Sequence, residues 1–324
     1  MCTITPIRAQ WEAPLNQYWE VKNYYNPSFA GSSNNIETSA LYRYQWAGIE
    51  NSPQRAIITA DMPFKLLNRL HGAGIIAYTS NTGSYRNTLL AAQYSFKQNI
   101  GQGTLNIGIQ AGIFNLTYDE GNLNLVTDSL QTNKKLKINT TDKQVANLTA
   151  GISWASKQAY VGISLMHINQ PEFYTESDNT ASIITDPYNT NPYNTESFNS
   201  DSINSKIPLT YNFLAGYNIA LFYPLEIQPM IRVQHNSIQT QAQATIRMEY
   251  NKKISGGISW ITDDGYSLFA GTVIEGFKLG YAYSKHNKGI GKESNGSHEL
   301  YIKYNFLLNI FKPRLQPQKS IRLL

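Results

Sequence analysis

Residues 240–250 read TQAQATIRMEY, and apolar and polar side chains alternate along the whole stretch. One set of alternate positions holds Ala242, Ala244, Ile246, Met248 and Tyr250. The other set holds Gln241, Gln243, Thr245, Arg247 and Glu249. Because successive side chains of a β-strand point to opposite faces, this period of two predicts a strand with one apolar and one polar face.

The same alternation recurs along the chain and predicts about fourteen strands. We place them at residues 36–49, 54–62, 71–81, 85–98, 102–114, 146–155, 158–167, 208–219, 224–235, 239–250, 253–262, 265–274, 276–285 and 296–306. A tilted strand of about 9–12 residues crosses a hydrocarbon layer, whereas strands of soluble proteins average about 5–6 residues. The strand lengths therefore favour an all-β transmembrane barrel.

The lengths of the connections point to the same architecture. The long connections, 115–145, 168–207 and 286–295, all follow odd-numbered strands. In an antiparallel up-and-down barrel these connections share one side, where outer-membrane barrels carry their long extracellular loops. The connection at 63–71 fits least well, since it follows an even-numbered strand and is longer than a simple turn. A soluble β-sandwich or lectin-like fold is the alternative, because its strands also alternate.

Composition excludes a helical membrane protein but not a barrel. The net charge is +5 and 15% of residues are charged, and no run approaches the ~18–20 apolar residues of a membrane helix. We expect three parts: a periplasmic or plug segment at 1–35, a barrel at 36–306, and a basic periplasmic tail at 307–324. Residues 1–10 show no apolar signal-peptide region, so export to the outer membrane is inferred from the barrel pattern.

Charged residues on the predicted inner faces carry both signs. They are Arg43, Glu226, Arg232, Arg247, Glu249, Lys278, Glu299 and Lys303. Because charges in a narrow lumen need partners, we expect an ion-paired interior rather than a wide, uniform pore, with residues 1–35 either inside that lumen or beneath it. Aromatic residues near strand ends predict a belt at the membrane boundary. They are Tyr42, Tyr44, Trp46, Tyr250, Tyr281, Tyr283 and Tyr304.

The sequence offers little for catalysis or for metal binding. The five histidines are far apart and the only cysteine is Cys2, so we expect no catalytic, cofactor-binding or metal-binding residues. Residues 289–294 resemble a phosphate loop but lack its first glycine and its Ser or Thr after the lysine. A barrel hydrolase stays open as an alternative, because triad partners that are distant in sequence are invisible at this level.

Four motifs occur in order along the predicted barrel. They are YNPSFAGS at 25–32, RYQWAG at 43–48, GISLMHINQP at 162–171 and SHEL at 297–300. Together they resemble the PorP/SprF family, outer-membrane proteins of the type IX secretion and gliding machinery of the Bacteroidetes. The resemblance runs from about residue 15 to residue 306.

The resemblance implies a barrel without enzymatic activity or cofactor. It also implies partners: a PorK/PorN-type ring and a peptidoglycan-binding lipoprotein, or the C-terminal domain of a secreted adhesin. The candidate partner-binding or client-binding residues are Asn26, Pro27, Phe29, Trp46, His167, Asn169, Gln170 and Pro171. The alternative for these residues is that they fix the plug and the rim. The alternative function is a porin or substrate transport channel.

Overall fold

Antiparallel strands with alternating faces form most of the structure. The structure, a computed structural model, describes residues 14–33, 35–83, 85–118, 143–175, 203–262, 264–287 and 289–306. The predicted tail at 307–324, the first thirteen residues and most of the predicted connections 115–145 and 168–207 lie outside the described residues.

The described strands are numbered in chain order. They are β1 (Ile36–Tyr44), β2 (Gln54–Leu66), β3 (Arg69–Thr82), β4 (Tyr85–Ile100), β5 (Gly103–Tyr118), β6 (Lys143–Ala155), β7 (Ala159–Met166), β8 (Glu172–Thr175), β9 (Ile203–Lys206), β10 (Thr210–Tyr217), β11 (Ile219–Phe222), β12 (Leu225–His235), β13 (Thr240–Tyr250), β14 (Ile254–Ile261), β15 (Gly265–Ile274), β16 (Phe277–Lys285) and β17 (Ser297–Phe306).

The main sheet closes on itself. Neighbouring strands pair antiparallel from β1 to β7, then β7 pairs with β10, β10 pairs with β12, and pairing continues to β17, which pairs with β1. β11 continues β10 beyond Asn218 and also pairs with β12. The ring therefore has fourteen members, and β8 and β9 form a separate hairpin. Closure leaves no free edge and confirms the predicted barrel over the sandwich.

Side chains sort as the alternation predicts. Ile107, Ile246 and Ile302 point outward and are 49%, 49% and 43% exposed. Gln243 and Thr245, between the apolar positions of β13, point inward and are buried. An apolar outer face and a polar inner face are what a membrane-spanning barrel requires. Within the ranges described above, no helix is long and apolar enough to cross a membrane.

Several strand boundaries differ from the prediction. β5 and β6 extend into the predicted connection 115–145, to Tyr118 and from Lys143, and the predicted strand 208–219 is divided into β10 and β11. β1 ends at Tyr44 rather than at 49, because Trp46 turns to a positive φ of 56° and its N–H binds the side chain of Ser297. The connection placed at 63–71 is only a two-residue turn, since β2 and β3 extend to Leu66 and Arg69. Its residues Leu67 and Asn68 both have positive φ, as tight hairpin turns require. The connection at 63–71 therefore appeared too long for its side of the barrel only because the ends of the two flanking strands were misplaced.

The two ends of the barrel differ in their connections. We call the end with the turns at 67–68, 101–102, 156–158, 223–224, 251–253 and 275–276 the short-turn end. The other end, which receives every remaining connection, is called the long-loop end. Short turns are periplasmic in outer-membrane barrels.

Candidate functional site

The segment before β1 lies inside the barrel. Residues 14–33, called the inner segment, contain a 3-10 turn at Tyr18–Val21, one helical turn at Lys22–Tyr25 and a second 3-10 turn at Pro27–Phe29. All of its residues up to 31 are buried except Lys22, which is half-buried. Its polar groups bind inward-facing side chains of strands around the ring, so the segment occupies the lumen.

Glu299 on β17 holds the first part of the inner segment. The carboxylate is fully buried and accepts the backbone N–H groups of Asn16 and Gln17 at 2.8 and 2.7 Å. Arg43 on β1 lies 3.3 Å from the same carboxylate and 3.4 Å from that of Asp264. Two predicted inner-face charges, Arg43 and Glu299, are thus brought together and also bind the inner segment. The RYQWAG and SHEL motifs meet at this point.

The YNPSFAGS motif seats the second part of the segment on β6 and β7. Asn26 Nδ2 donates to the carbonyls of Ile152 and Ile163, at 3.2 and 3.1 Å. These two residues face each other across the β6–β7 pairing, so one amide spans the seam between the strands. The Asn26 Oδ1 accepts the Ser28 N–H at 3.0 Å, which caps the 3-10 turn that begins at Pro27.

Hydroxyl groups of the wall complete this seat. Ser28 Oγ donates to Ser153 Oγ at 2.7 Å, and Ser164 Oγ donates to the Tyr25 carbonyl at 2.6 Å. Ser164 belongs to the GISLMHINQP motif, so this motif binds the YNPSFAGS motif directly. Sequence reasoning missed Ser153 and Ser164, because inward-facing serines are common on such strands and carry no distinguishing spacing.

Glycine on the wall lets the two backbones approach. A β-carbon on Gly108 of β5 would lie 2.2 Å from the backbone nitrogen of Ser28, which no side chain tolerates. Gly31 leaves the segment toward β1 with a φ of +61°, and a β-carbon there would lie 2.6 Å from the Met62 carbonyl. Only glycine meets both conditions.

Some of the predicted interior charges form ion pairs with one another, and others pair with residues that the sequence analysis did not select. Arg247 pairs with Glu249 on the same strand. Lys303 lies 3.5 Å from Glu37 and 3.6 Å from Glu20, and Lys278 lies 2.5 Å from Glu20. Sequence reasoning missed Glu20 because the inner segment has no alternation, whereas Glu37 lies on the inner face of β1 and was available from the pattern.

Two predicted interior charges bind neutral groups instead. Arg232 donates to the side-chain oxygens of Gln234 and Gln241, and its guanidinium lies 4.7 Å from the ring centre of Tyr25. The carboxylate of Glu226 accepts Asn218 Nδ2 at 2.8 Å. Arg232 is fully buried, so its stacking on the inner segment adds a cation–π contact to the polar seat.

A cavity of about 340 Å³ remains at the short-turn end, between the inner segment and the wall. Four basic and three acidic side chains line it, together with hydroxyl, amide and aromatic groups. The charged residues are Glu20, Lys22, Glu37, Asp61, Arg247, Lys278 and Lys303. Asp61 accepts the Gly31 N–H at 2.7 Å and Asn23 Nδ2 at 3.1 Å. The cavity is therefore polar and is bounded by the inner segment on one side.

Asp264, His286 and Ser297 form a hydrogen-bonded row at the long-loop end. His286 Nδ1 lies 2.5 Å from Asp264 Oδ1, and its Nε2 lies 2.6 Å from Ser297 Oγ. A serine hydrolase triad has this order of groups. Ser297 is fully buried, however, and its Oγ also accepts the Trp46 N–H at 3.0 Å, so the hydroxyl is closed to a substrate in this structure.

These hydrogen bonds instead link three of the loops that join strands at the long-loop end. Asp264 precedes β15, His286 follows β16, and Trp46 follows β1, with its ring centre 6.3 Å from that of His286. Burial alone would raise the pKa of Asp264, but the hydrogen bond with His286 and the charge of Arg43 hold that pKa below its usual range. Asp264 is thus an anion that joins His286 to Arg43 at the long-loop end.

Most of the candidate partner residues are internal. Asn26, Pro27, Phe29, His167 and Pro171 are buried. His167 Nδ1 lies 2.5 Å from Asn147 Nδ2 on β6. Trp46 and Gln170 are half-buried, and Asn169 is exposed while its side chain bonds Leu148 N and Ala146 O. Of the eight residues, Asn169, Gln170 and Trp46 are therefore the ones with exposed surface. Among the described residues, no group of three or more His, Cys, Asp or Glu side chains could hold a metal ion.

Comparison with solved structures returns outer-membrane barrels of low identity. The toluene transporter TodX of Pseudomonas putida has 9% identity and a TM-score of 0.48, over 92% of this chain and 95% of that chain. The β domain of the Bordetella autotransporter BrkA has 12% identity and a TM-score of 0.36, over 85% and 100%. The translocator domain of the autotransporter NalP from Neisseria meningitidis has 10% identity and a TM-score of 0.37, over 85% and 88%.

The sequence itself matches one family over nearly its whole length. No curated protein matches the chain. Residues 7–304 match the family described as type IX secretion system membrane protein PorP/SprF. That range includes the inner segment and almost all of the closed barrel, together with all four motifs. The chain therefore belongs to the PorP/SprF family of type IX secretion system membrane proteins.

Proposed function

We propose that this protein is a non-enzymatic outer-membrane barrel that anchors partner subunits or a secreted client of the type IX secretion machinery, and is not an open channel. The barrel fold and the family support an outer-membrane location in a Gram-negative bacterium. The observation that carries the proposal is the inner segment, which is buried across the lumen and bonded to opposite walls.

The bonds of the inner segment come from well-separated parts of the ring. Asn16 binds Glu299 on β17 and Ser28 binds Ser153 on β6, six positions away in the ring of fourteen, while Asn23 binds Asp61 on β2 between them. A transport channel needs a continuous polar path, and its lumen is kept free or is cleared by a mobile plug. Here, displacing the segment would break its hydrogen bonds with Glu299, Ser153 and Ser164 together, and buried polar networks of this kind hold a segment in one position. The architecture favours a permanently filled barrel.

A barrel with a filled lumen can bind partners only at its two ends. The long-loop end presents the rim at 168–170 and the half-buried Trp46 to a client outside the cell, such as the C-terminal domain of an adhesin. The short-turn end faces the periplasm under the usual barrel orientation and is available to the PorK/PorN-type ring and to a peptidoglycan-binding lipoprotein. Both sets of partners are those that family membership suggests.

Affinity purification from native membranes with mass spectrometry tests this proposal. We expect the tagged wild-type protein to recover secretion subunits at near-stoichiometric amounts, and a variant with Asn169→Ala and Gln170→Ala to lose any client that docks on the rim. The exposed variant Lys252→Ala, in a short turn at the opposite end, serves as the matched control. The same purified protein should show negligible conductance in planar bilayers. Steady conductance without any recovered secretion subunit would instead identify a transport channel.

A further inference from the structure

The cavity at the short-turn end contains one basic group that differs from its neighbours. Lys278 and Lys303 are paired with Glu20, and Lys303 is also paired with Glu37. Arg247 is paired with Glu249. Three of the four basic residues that line this cavity therefore already have a carboxylate partner.

Lys22 has no carboxylate within ion-pair distance among the described residues. Its Nζ lies 4.4 Å from the ring centre of Tyr160 and 5.3 Å from that of Phe29. The two aromatic faces support the stem and the charge of Lys22, but they leave its three N–H groups without a strong acceptor. The ammonium is thus held in place on the cavity wall with no carboxylate in direct contact, since Glu20 and Glu37 of the same cavity are engaged by Lys278 and Lys303.

The rest of the wall suits an anionic, peptide-like ligand. The hydroxyl-bearing residues Ser39 and Thr59, which face each other across β1 and β2, also line the cavity. Asp61, the lining carboxylate without a basic partner among the described residues, already accepts the Gly31 N–H and Asn23 Nδ2, so Lys22 is the charged lining group left without a polar partner there. A volume of about 340 Å³ is at the lower end of small-ligand sites, which fits a few residues of a chain rather than a folded domain.

We propose that this cavity binds a carboxylate of a partner polypeptide, with Lys22 as its cationic anchor. The inference rests on the proposed function, because it places a partner at the periplasmic, short-turn end. The carboxylate comes either from the C-terminus of the partner or from an Asp or Glu side chain, and it supplies the direct ion pair that Lys22 does not have within the barrel. The aromatic rings of Tyr160 and Phe29 flank the bound group and exclude water from the ion pair.

Ligand-observed NMR with the purified full-length barrel tests the inference. The probes are acetyl-glycyl-glycine for a terminal carboxylate, acetyl-aspartyl-amide for a side-chain carboxylate, and acetyl-glycyl-glycine amide as the uncharged control. We expect one carboxylate probe to bind and the amide to show no binding. Lys22→Gln should weaken binding about tenfold or more, while Lys22→Arg should retain it. Lys253→Gln, an exposed lysine in a turn at the same end, should bind like the wild type.

The outcomes separate the inference from the proposed function. Each variant is first checked for the compact gel mobility of an unheated barrel, and Lys22→Arg shows whether charge or shape matters if Lys22→Gln misfolds. The inference is wrong if no carboxylate probe binds the wild type, or if Lys22→Gln binds as tightly as Lys253→Gln. If secretion subunits still co-purify in that case, the anchoring function stands and only this site is removed.

Discussion

Glu299 is the residue at which wall and inner segment depend most on each other. It is 0% exposed, pairs with Arg43 and accepts two backbone N–H groups from the segment. No other single carboxylate in the described structure joins two motifs and the segment at once. A buried carboxylate with this many donors is stabilising only while all of them remain in place.

Glu299→Gln should destabilise the barrel by about 3 kcal/mol, because Arg43 loses a fully buried counter-charge. The contact of Arg43 with Asp264 remains, so we expect reduced stability rather than failure to assemble. The measurement is the temperature at which the compact gel mobility of the unheated barrel is lost. The exposed turn variant Glu275→Gln is the control. Equal transition temperatures for both variants would mean that Glu299 does not hold the segment.

Ile246→Arg tests whether the side chain at position 246 faces the lipid. Ile246 is 49% exposed on the lipid-facing side of β13, and arginine near the middle of the membrane costs about 2–4 kcal/mol. We expect a lower yield of assembled barrel, measured as the heat-modifiable fraction in outer membranes. Ile246→Leu is the matched apolar control. An unchanged fraction for Ile246→Arg would show that this face does not meet lipid.

At the scale of elements, the inner segment depends on close contact with β5. A β-carbon at Gly108 would meet the backbone of Ser28, so Gly108→Val should displace the YNPSFAGS turn from its seat. We expect conductance to appear in planar bilayers. Gly256→Val, on the outer face of β14, is the control, and it should assemble and show no conductance. If Gly108→Val assembles normally and shows no conductance, displacement of this turn does not open the lumen.

Strand positions could be predicted from the sequence because alternation is a local signal. β13 and β12 end at the predicted residues or within one residue of them. β1 and the turn after β2 could not be placed as well, since their boundaries are set by the Ser297 contact and by two left-handed residues rather than by hydropathy. The path of the inner segment has no period at all, so its contacts are visible only in three dimensions.

At the scale of the whole molecule, the motifs prove to be parts of one internal assembly. YNPSFAGS meets GISLMHINQP on β6 and β7, and RYQWAG meets SHEL near residue 16. The sequence showed the motifs and their order, but it could not show whether they face partners or one another. Closure of the barrel brings residues 43 and 299 into register on adjacent strands, and this long-range pairing is what sequence spacing conceals.

The most direct test of a filled barrel is a disulfide between the inner segment and the wall. Ser28 and Ser153 have their Oγ atoms 2.7 Å apart, so cysteines at these positions lie near bonding distance. The double variant is made with Cys2→Ser, oxidised in intact outer membranes, and digested for mass spectrometry. We predict that the linked peptide carrying residues 28 and 153 forms in most molecules, while Ser28→Cys with Ser80→Cys, on the inner face of β3, does not link. Absence of the 28–153 link in assembled barrels would contradict a segment seated across the lumen.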